Sequence, residues 1–194
     1  MTYLYVRRYR MEIPLASWSE AETAALEAAL PFRLLPWKPD LLEAHAEAKW
    51  RSFVGQMDST VFACLGERDG CGRLMTEIAR RQGFVPEATW LAVDPHGETG
   101  DLRPVGTVQG IEDPRMTGLI QNLGVTPECQ GKRLGELLLR KALDGFKRVG
   151  CRMASLEVTS ANSSAVKLYR RVGFEIARTV YKTAIVNVPV SVRD

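Results

Sequence analysis

The chain has 194 residues, 45% hydrophobic and 25% charged, which is ordinary for a globular protein and enough for one domain with a full core. Its net charge of +3 comes from 26 basic residues scattered against 23 acidic ones, so no nucleic-acid-binding face is expected. No apolar run approaches the roughly 20 residues that cross a bilayer, and no membrane partner is expected. Arg7, Arg8 and Arg10 interrupt the first apolar residues, so no signal peptide is expected. Cys64, Cys71, Cys129 and Cys151 form no CxxC, and His45 and His96 have no metal-ligand spacing to them. These features predict free thiols, no metal, and a reducing, cytoplasmic setting.

In chain order, residues 3–14 alternate late in the run, with Tyr9, Met11 and Ile13 on one side and Arg8, Arg10 and Glu12 on the other. That predicts a half-buried strand stopped by Pro14. Ser17 to Leu30 reads as a helix opened by a Ser17-x-x-Glu20 capping box. Phe32 to Trp37 is a short strand bounded by prolines. Asp40 is expected to cap a helix running to about Phe53 or Met57, with His45 as a packed or half-exposed residue. Residues 58–70 look irregular, and Cys71 to Arg81 reads as a helix stopped by Gly83.

Strands are predicted at Ala88–Val93, Val105–Ile111 and Thr117–Val125, the first two joined by a polar hairpin loop, Asp94 to Arg103. Short turn-rich links imply an antiparallel meander. Leu134, Leu137, Leu138, Ala142, Phe146 and Val149 recur at helical spacing, and Gly150 ends that helix. Arg152–Thr159 is a strand, Ser163–Val172 a helix stopped by Gly173, and Glu175–Val188 one or two closing strands. The expected class is therefore α/β, a mostly antiparallel mixed sheet containing a parallel strand-helix-strand unit, with helices on both faces. It is read as a single domain across residues 1–194.

Two stretches carry chemistry. The first is N-L-G-V-T-P-E-C-Q-G-K-R-L-G, Asn122 to Gly135, a strand, a proline-marked turn and a glycine-containing loop that feeds a helix. The first amides of a helix lack internal partners and carry partial positive charge, which suits a diphosphate. Neither the Gly-Lys-Ser/Thr phosphate loop nor the Gly-x-Gly-x-x-Gly fingerprint is present. The second runs from Leu156 to Phe174. Glu157 lies in an apolar strand opposite Leu156 and Val158, so its carboxylate is either satisfied by partners or faces a cavity. Asn162 precedes a helix that it could simply cap, and Tyr169 lies on that helix.

Together these stretches resemble the GNAT superfamily of acyl-CoA N-acyltransferases. The family loop V-x-P-x-x-[Gln/Arg]-x-x-[Gly/Ala]-x-[Gly/Ala] is matched by Val125, Pro127, Gln130 and Gly135, with Arg133 where Gly or Ala is usual. The family motif Asn-x-x-Ala-x-x-Leu-Tyr-x-x-x-Gly-Phe is matched in full from Asn162 to Phe174. The resemblance covers residues 88–183 firmly, and its spacing is similar to the branch that acetylates protein N-terminal amines.

The resemblance implies an acetyl-CoA-dependent N-acetyltransferase. The backbone of Leu123, Gly124 and Val125 would pair with the pantetheine arm. Gln130 would open the diphosphate loop, and the amides of Gly131, Lys132, Arg133, Leu134, Gly135 and Glu136 would cradle the phosphates. Asn162 would hydrogen-bond the pantetheine or the loop. Tyr169 would protonate the leaving thiolate, near-thermoneutrally for a phenol of ordinary pKa, about 10. Glu157 would take the ammonium proton, with Glu112 as a rival base. Partners would be acetyl-CoA and an amine acceptor, to a monomer or homodimer, and no metal. The acceptor groove would come from the first helices, the 53–71 loop and the last strands, where Trp37, Trp50, Arg68, Arg73 and Trp90 are contact candidates. Arg133 admits a competing class, a catalytically silent CoA-binding sensor or interaction module. A third is a nucleotide-binding regulator using the same helix end.

Overall fold

The computed structural model describes residues 2–95 and 103–186. The expected hairpin loop at 94–103 and His96 therefore lie mostly outside the described residues, as does the end of the expected closing strand. The strands are β1 (Thr2–Pro14), β2 (Arg33–Pro36), β3 (Phe84–Asp94), β4 (Arg103–Glu112), β5 (Thr117–Val125), β6 (Met153–Thr159) and β7 (Glu175–Val186). The helices are α1 (Ala21–Ala29), α2 (Leu42–Phe53), α3 (Met57–Val61), α4 (Arg68–Ala79), α5 (Leu134–Arg148) and α6 (Ser163–Val172).

All seven strands form one sheet in the order β2-β3-β4-β5-β6-β1-β7. The meander β3-β4-β5 is antiparallel, and β5 and β6, joined through α5, are parallel neighbours. The second strand-helix-strand unit departs from expectation. β7 is parallel to β6 but not beside it, because β1 lies between them and pairs antiparallel with both. β1 is thus an interior strand, which places Arg8 and Arg10 between β6 and β7.

Helices cover both faces, as the alternation along β4 shows. A Cβ on Gly106 would meet Leu138 and Leu134 of α5, whereas the next residue, Thr107, hydrogen-bonds His45 of α2. α5 packs an apolar face on the sheet, with Leu134, Leu137, Leu138, Leu139, Leu143 and Phe146 all buried. Phe146 lies so close to β5 that a Cβ on Gly118 would come within 2.3 Å of its ring.

Three local expectations need correction. The first helix starts at Ala21, and its N-cap, Glu20, makes no side-chain cap. The Trp18 indole donates to Asp144 of α5 at 2.7 Å and the Trp18 amide to Leu15, so the chain at Ser17 is held in a turn and the capping box does not form. Asp40 sits inside a 3-10 turn, Pro39–Leu41, and caps nothing through its side chain. The stretch 58–70 is ordered rather than irregular. It holds α3, a 3-10 turn at Ala63–Leu65 and the first residues of α4.

Candidate active site

β5 and β6 are paired only at Thr117↔Met153, Gly118↔Ala154 and Leu119↔Ser155. Beyond Leu119 they part. The cause lies in β5 itself: between Thr107↔Gly124 and Gln109↔Gln121 it carries one residue more than β4, and Asn122 takes the left-handed conformation at φ 47°. This is a β-bulge, and an extra residue reverses which side chains face which helix. Gly118 faces Phe146 of α5, but Gly124 faces Ser52 and Phe53 of α2, although the two are an even number of residues apart. The last part of β5 therefore bends away from β6 and opens a cleft.

β5 runs on into the loop before α5, and neither Gly124 and Val125 nor the loop residues Gln130 to Glu136 are among those that line the cavity described below. Gln130 folds back, its Nε2 donating to the Val125 carbonyl at 3.1 Å. Gly131 has φ 75°, with nothing within 4 Å of where a Cβ would be. Its requirement is conformational, because a side chain is disfavoured at that φ. Lys132 is exposed, and Leu134 is buried, so its share in the loop is its amide. A Cβ on Gly135 would make only ordinary contacts with Leu168 and Val125.

Arg133 is the N-cap of α5, at φ 61°, a conformation natural to glycine and strained for arginine. Its exposed guanidinium bonds Glu136 at 3.1 and 3.3 Å. The Glu136 side chain is itself buried and also meets Arg140 at 3.2 Å and Arg171 at 3.5 Å. Burial alone would raise the Glu136 carboxyl, but bonds from Arg133 and Arg140 hold it below the usual range. A buried carboxylate thus gathers three guanidiniums around the first turn of α5. Arg133→Gly is expected to leave acetyl-CoA affinity within about tenfold by calorimetry, and a hundredfold gain would mean that the side chain crowds the ligand. Arg133→Ala should melt below Arg133→Gly, since alanine keeps the backbone strain and loses the ion pair.

The cleft widens into a cavity of about 450 Å³. Leu123, Glu157, Asn162 and Tyr169 all line it. Asn162 does cap α6, its Oδ1 accepting from the Ala165 amide at 3.2 Å and the Ser164 hydroxyl at 3.0 Å. The Asn162 side-chain nitrogen has no protein partner among the described residues. Tyr169 is buried and packs its ring 6.1 Å from that of Phe174. Burial first, and then the charge of Asp58, push its phenol well above the ordinary value, with Arg8 pulling the other way. The near-thermoneutral match to a thiol, expected for an ordinary phenol, does not describe this buried one. Glu157 keeps 47% of its side chain exposed and lies 3.7 Å from the Arg8 guanidinium.

Sequence reading missed three residues of this wall. Arg8, from β1, is 6% exposed and donates to Thr159 Oγ1 at 3.2 Å and to the Glu157 carbonyl at 3.0 Å. Asp58, on α3, accepts from Thr159 Oγ1 at 3.0 Å and lies 3.7 Å from Arg8. Phe62 stacks beneath Arg8, 5.0 Å from its ring centre. The position of Arg8 on the polar side of a strand was visible, but its partner strand was not. Glu112 is not among the cavity-lining residues; it pairs with Gly118, where β5 and β6 are still joined. Trp37, Trp50, Arg68, Arg73 and Trp90 do not line the cavity either. Trp37 packs on His45 and Phe84 instead. Among the described residues no group of three or more His, Cys, Asp or Glu could hold a metal, and no helix is long and apolar enough to cross a membrane.

Known proteins are similar to this chain in sequence and in fold. A mycothiol acetyltransferase from Geodermatophilus obscurus is 40% identical over 91 residues, covering 47% of this chain and 30% of that protein. A mycothiol acetyltransferase from Arthrobacter sp. is 28% identical over 184 residues, covering 82% of this chain and 57% of that one. The chain thus spans about half the length of such relatives, or less. A GCN5-related N-acetyltransferase from Sphaerobacter thermophilus superposes with a TM-score of 0.63 at 24% identity, over 93% of this chain and 51% of that one, a likeness of fold. The model of the Acetyltransferase (GNAT) family matches residues 67–174, more than half of the sequence, and the chain belongs to that family.

Proposed function

We propose that this chain transfers acetyl from acetyl-CoA to a primary amine, with the donor held by the cleft between β5 and β6. The observation that carries the reading is the bulge at Asn122. It parts the two strands on the stretch of β5 that runs on into the loop before α5, and the cleft so opened has Tyr169 and Glu157 in its wall.

The chemistry needs no covalent enzyme intermediate. The amine nitrogen bonds the acetyl carbon as the carbon–sulfur bond breaks. Glu157 takes the proton that the ammonium must lose, directly or through water. Tyr169 gives a proton to the departing thiolate. The backbone of Leu123, Gly124 and Val125 aligns the pantetheine arm. The amides of Gly131 to Glu136 cradle the diphosphate, with Gln130 fixing the loop against Val125. Asn162 offers its side-chain nitrogen to the pantetheine.

The test is turnover of acetyl-CoA with a panel of primary amines and peptides. Release of CoA that depends on the amine supports the enzyme. Binding of acetyl-CoA with no turnover of any amine favours a silent CoA-binding module, and competition by ADP but not by CoA favours a nucleotide-binding regulator. Glu157→Gln is expected to cut the rate most at low pH, where fewer amines are deprotonated. A mutant-to-wild-type ratio that stays flat from about pH 6 to 9 would move the base elsewhere.

A further inference from the structure

One wall of the cavity holds an ion cluster with two carboxylates on a single guanidinium. Asp58 and Glu157 face the cavity from opposite elements, and Arg8 stands between them, 3.7 Å from each. Arg8 is buried and anchored by Thr159 and the Glu157 carbonyl, so it cannot swing to neutralise either carboxylate fully. Its Nε is buried without a hydrogen-bond partner. Two carboxylates against one guanidinium leave a charge of minus one. Asp58 is the better placed of the two: its side chain is 19% exposed against 47% for Glu157, so its field is less screened. The Thr159 hydroxyl orients one of its oxygens.

The rest of the cavity limits what can bring the missing charge. Phe53, Phe62, Leu65, Leu74 and Leu119 supply apolar surface. Arg10 is spent on Glu12 at 2.8 Å. Lys182, also in the lining, lies 3.9 Å over the Phe62 ring, and Arg81 and Glu77 lie on the α4 side. A polyamine or an aminosugar with several ammonium groups would meet these cations. A single ammonium on an apolar body would not.

We infer that Asp58 is the residue that selects the acceptor, binding the ammonium of a monoamine with an apolar body beside Glu157. This rests on the acetyl-transfer reading, and it adds the acceptor class and a residue that reading did not include. Asp58 holds the charged amine, and Glu157, more solvated, receives its proton.

The test uses three probes with one ring and different heads: phenethylammonium, 2-phenylethanol and phenylacetate. Each is titrated by ligand-observed NMR against the full chain saturated with CoA. Phenethylammonium is expected to bind at least about tenfold more tightly than the alcohol. Asp58→Asn should remove that preference, and Asp58→Glu should restore part of it. Thr159→Val, which frees the carboxylate without deleting it, should weaken the ammonium alone. In turnover of phenethylamine, Asp58→Asn should raise KM far more than it lowers kcat. Tighter binding of phenylacetate would assign the cavity to anions through Lys182 and Arg81 and overturn the inference. So would equal binding of ammonium and alcohol, no binding of either at millimolar concentration, or an Asp58→Asn protein that still melts cooperatively and binds unchanged. CoA binding is measured in the same samples, so these failures are separable from failure of the acetyl-transfer reading.

Discussion

Tyr169→Phe is expected to lower kcat by roughly ten- to a thousandfold while acetyl-CoA affinity stays within about twofold. The substitution removes one oxygen and keeps the ring that packs on Phe174, so little of the fold is at risk. The phenol is buried at the cavity wall, and burial and Asp58 both keep its proton on. A donor in that state is always loaded, so the wild-type rate should show no alkaline limb from Tyr169 below about pH 10. The buried phenol is a weaker acid than free tyrosine, so transfer to a thiolate is uphill in the empty site. Under the proposed role the departing thiolate is itself desolvated beside the phenol, which raises its own proton affinity, and the hydrogen bond between them strengthens as negative charge builds on the sulfur in the transition state. The checks are steady-state kinetics for kcat and calorimetry for acetyl-CoA. Unchanged turnover would make Tyr169 a core residue and nothing more.

The parts of the site that could be read from sequence are those whose cause is local. The glycine at 131, the apolar stripe of α5 and the Asn162–Gly173 frame of α6 each follow from backbone conformation or helical spacing within a dozen residues. The bulge at Asn122 is not announced by composition or spacing, because no single residue type demands it. The place of β1 was not legible either, since strand pairing is set by partners more than a hundred residues away and alternation alone does not name them. That one hidden pairing carries Arg8 to the cavity. α3 escaped because five residues hold barely one turn, too short for a hydrophobic period, and Asp58 escaped with it. Arg133 departs from the family loop at a position whose φ explains the usual glycine, and its ion pair with Glu136 shows what the arginine gains there.

The second large effect lies away from the cleft. Lys49 of α2 is fully buried, and among the described residues the hydrogen-bond partner of its ammonium is the Met75 thioether, at 3.7 Å. Burial pulls its pKa from 10.5 down to about 7, with Cys71 and Cys64 pulling weakly the other way. An unfolded chain would hold the Lys49 proton up to about pH 10.5, whereas the folded chain releases it near 7. Between those values the unfolded state binds more protons, so stability rises with pH. Cys71 works in the opposite sense, because burial raises its thiol from 9.0 to about 11 and the unfolded state ionises first above 9. Stability should therefore climb from pH 7 to 9 by on the order of 2 kcal/mol and flatten or turn above that. Neighbouring His45, lowered from 6.5 to about 3 by burial and then by Lys49, adds a loss of stability as pH falls below 6.5. Lys49→Met replaces a buried amine with an apolar chain of similar length. It should raise stability at pH 7 by about 1–4 kcal/mol, as for other buried charges exchanged for hydrophobic groups. It should also abolish the rise between pH 7 and 9. Urea melts at pH 6, 7, 8 and 9 for both proteins decide the matter. A wild-type stability that is level from 7 to 9, or a destabilised Lys49→Met, would show that the Lys49 ammonium finds water or a counter-charge in the folded chain.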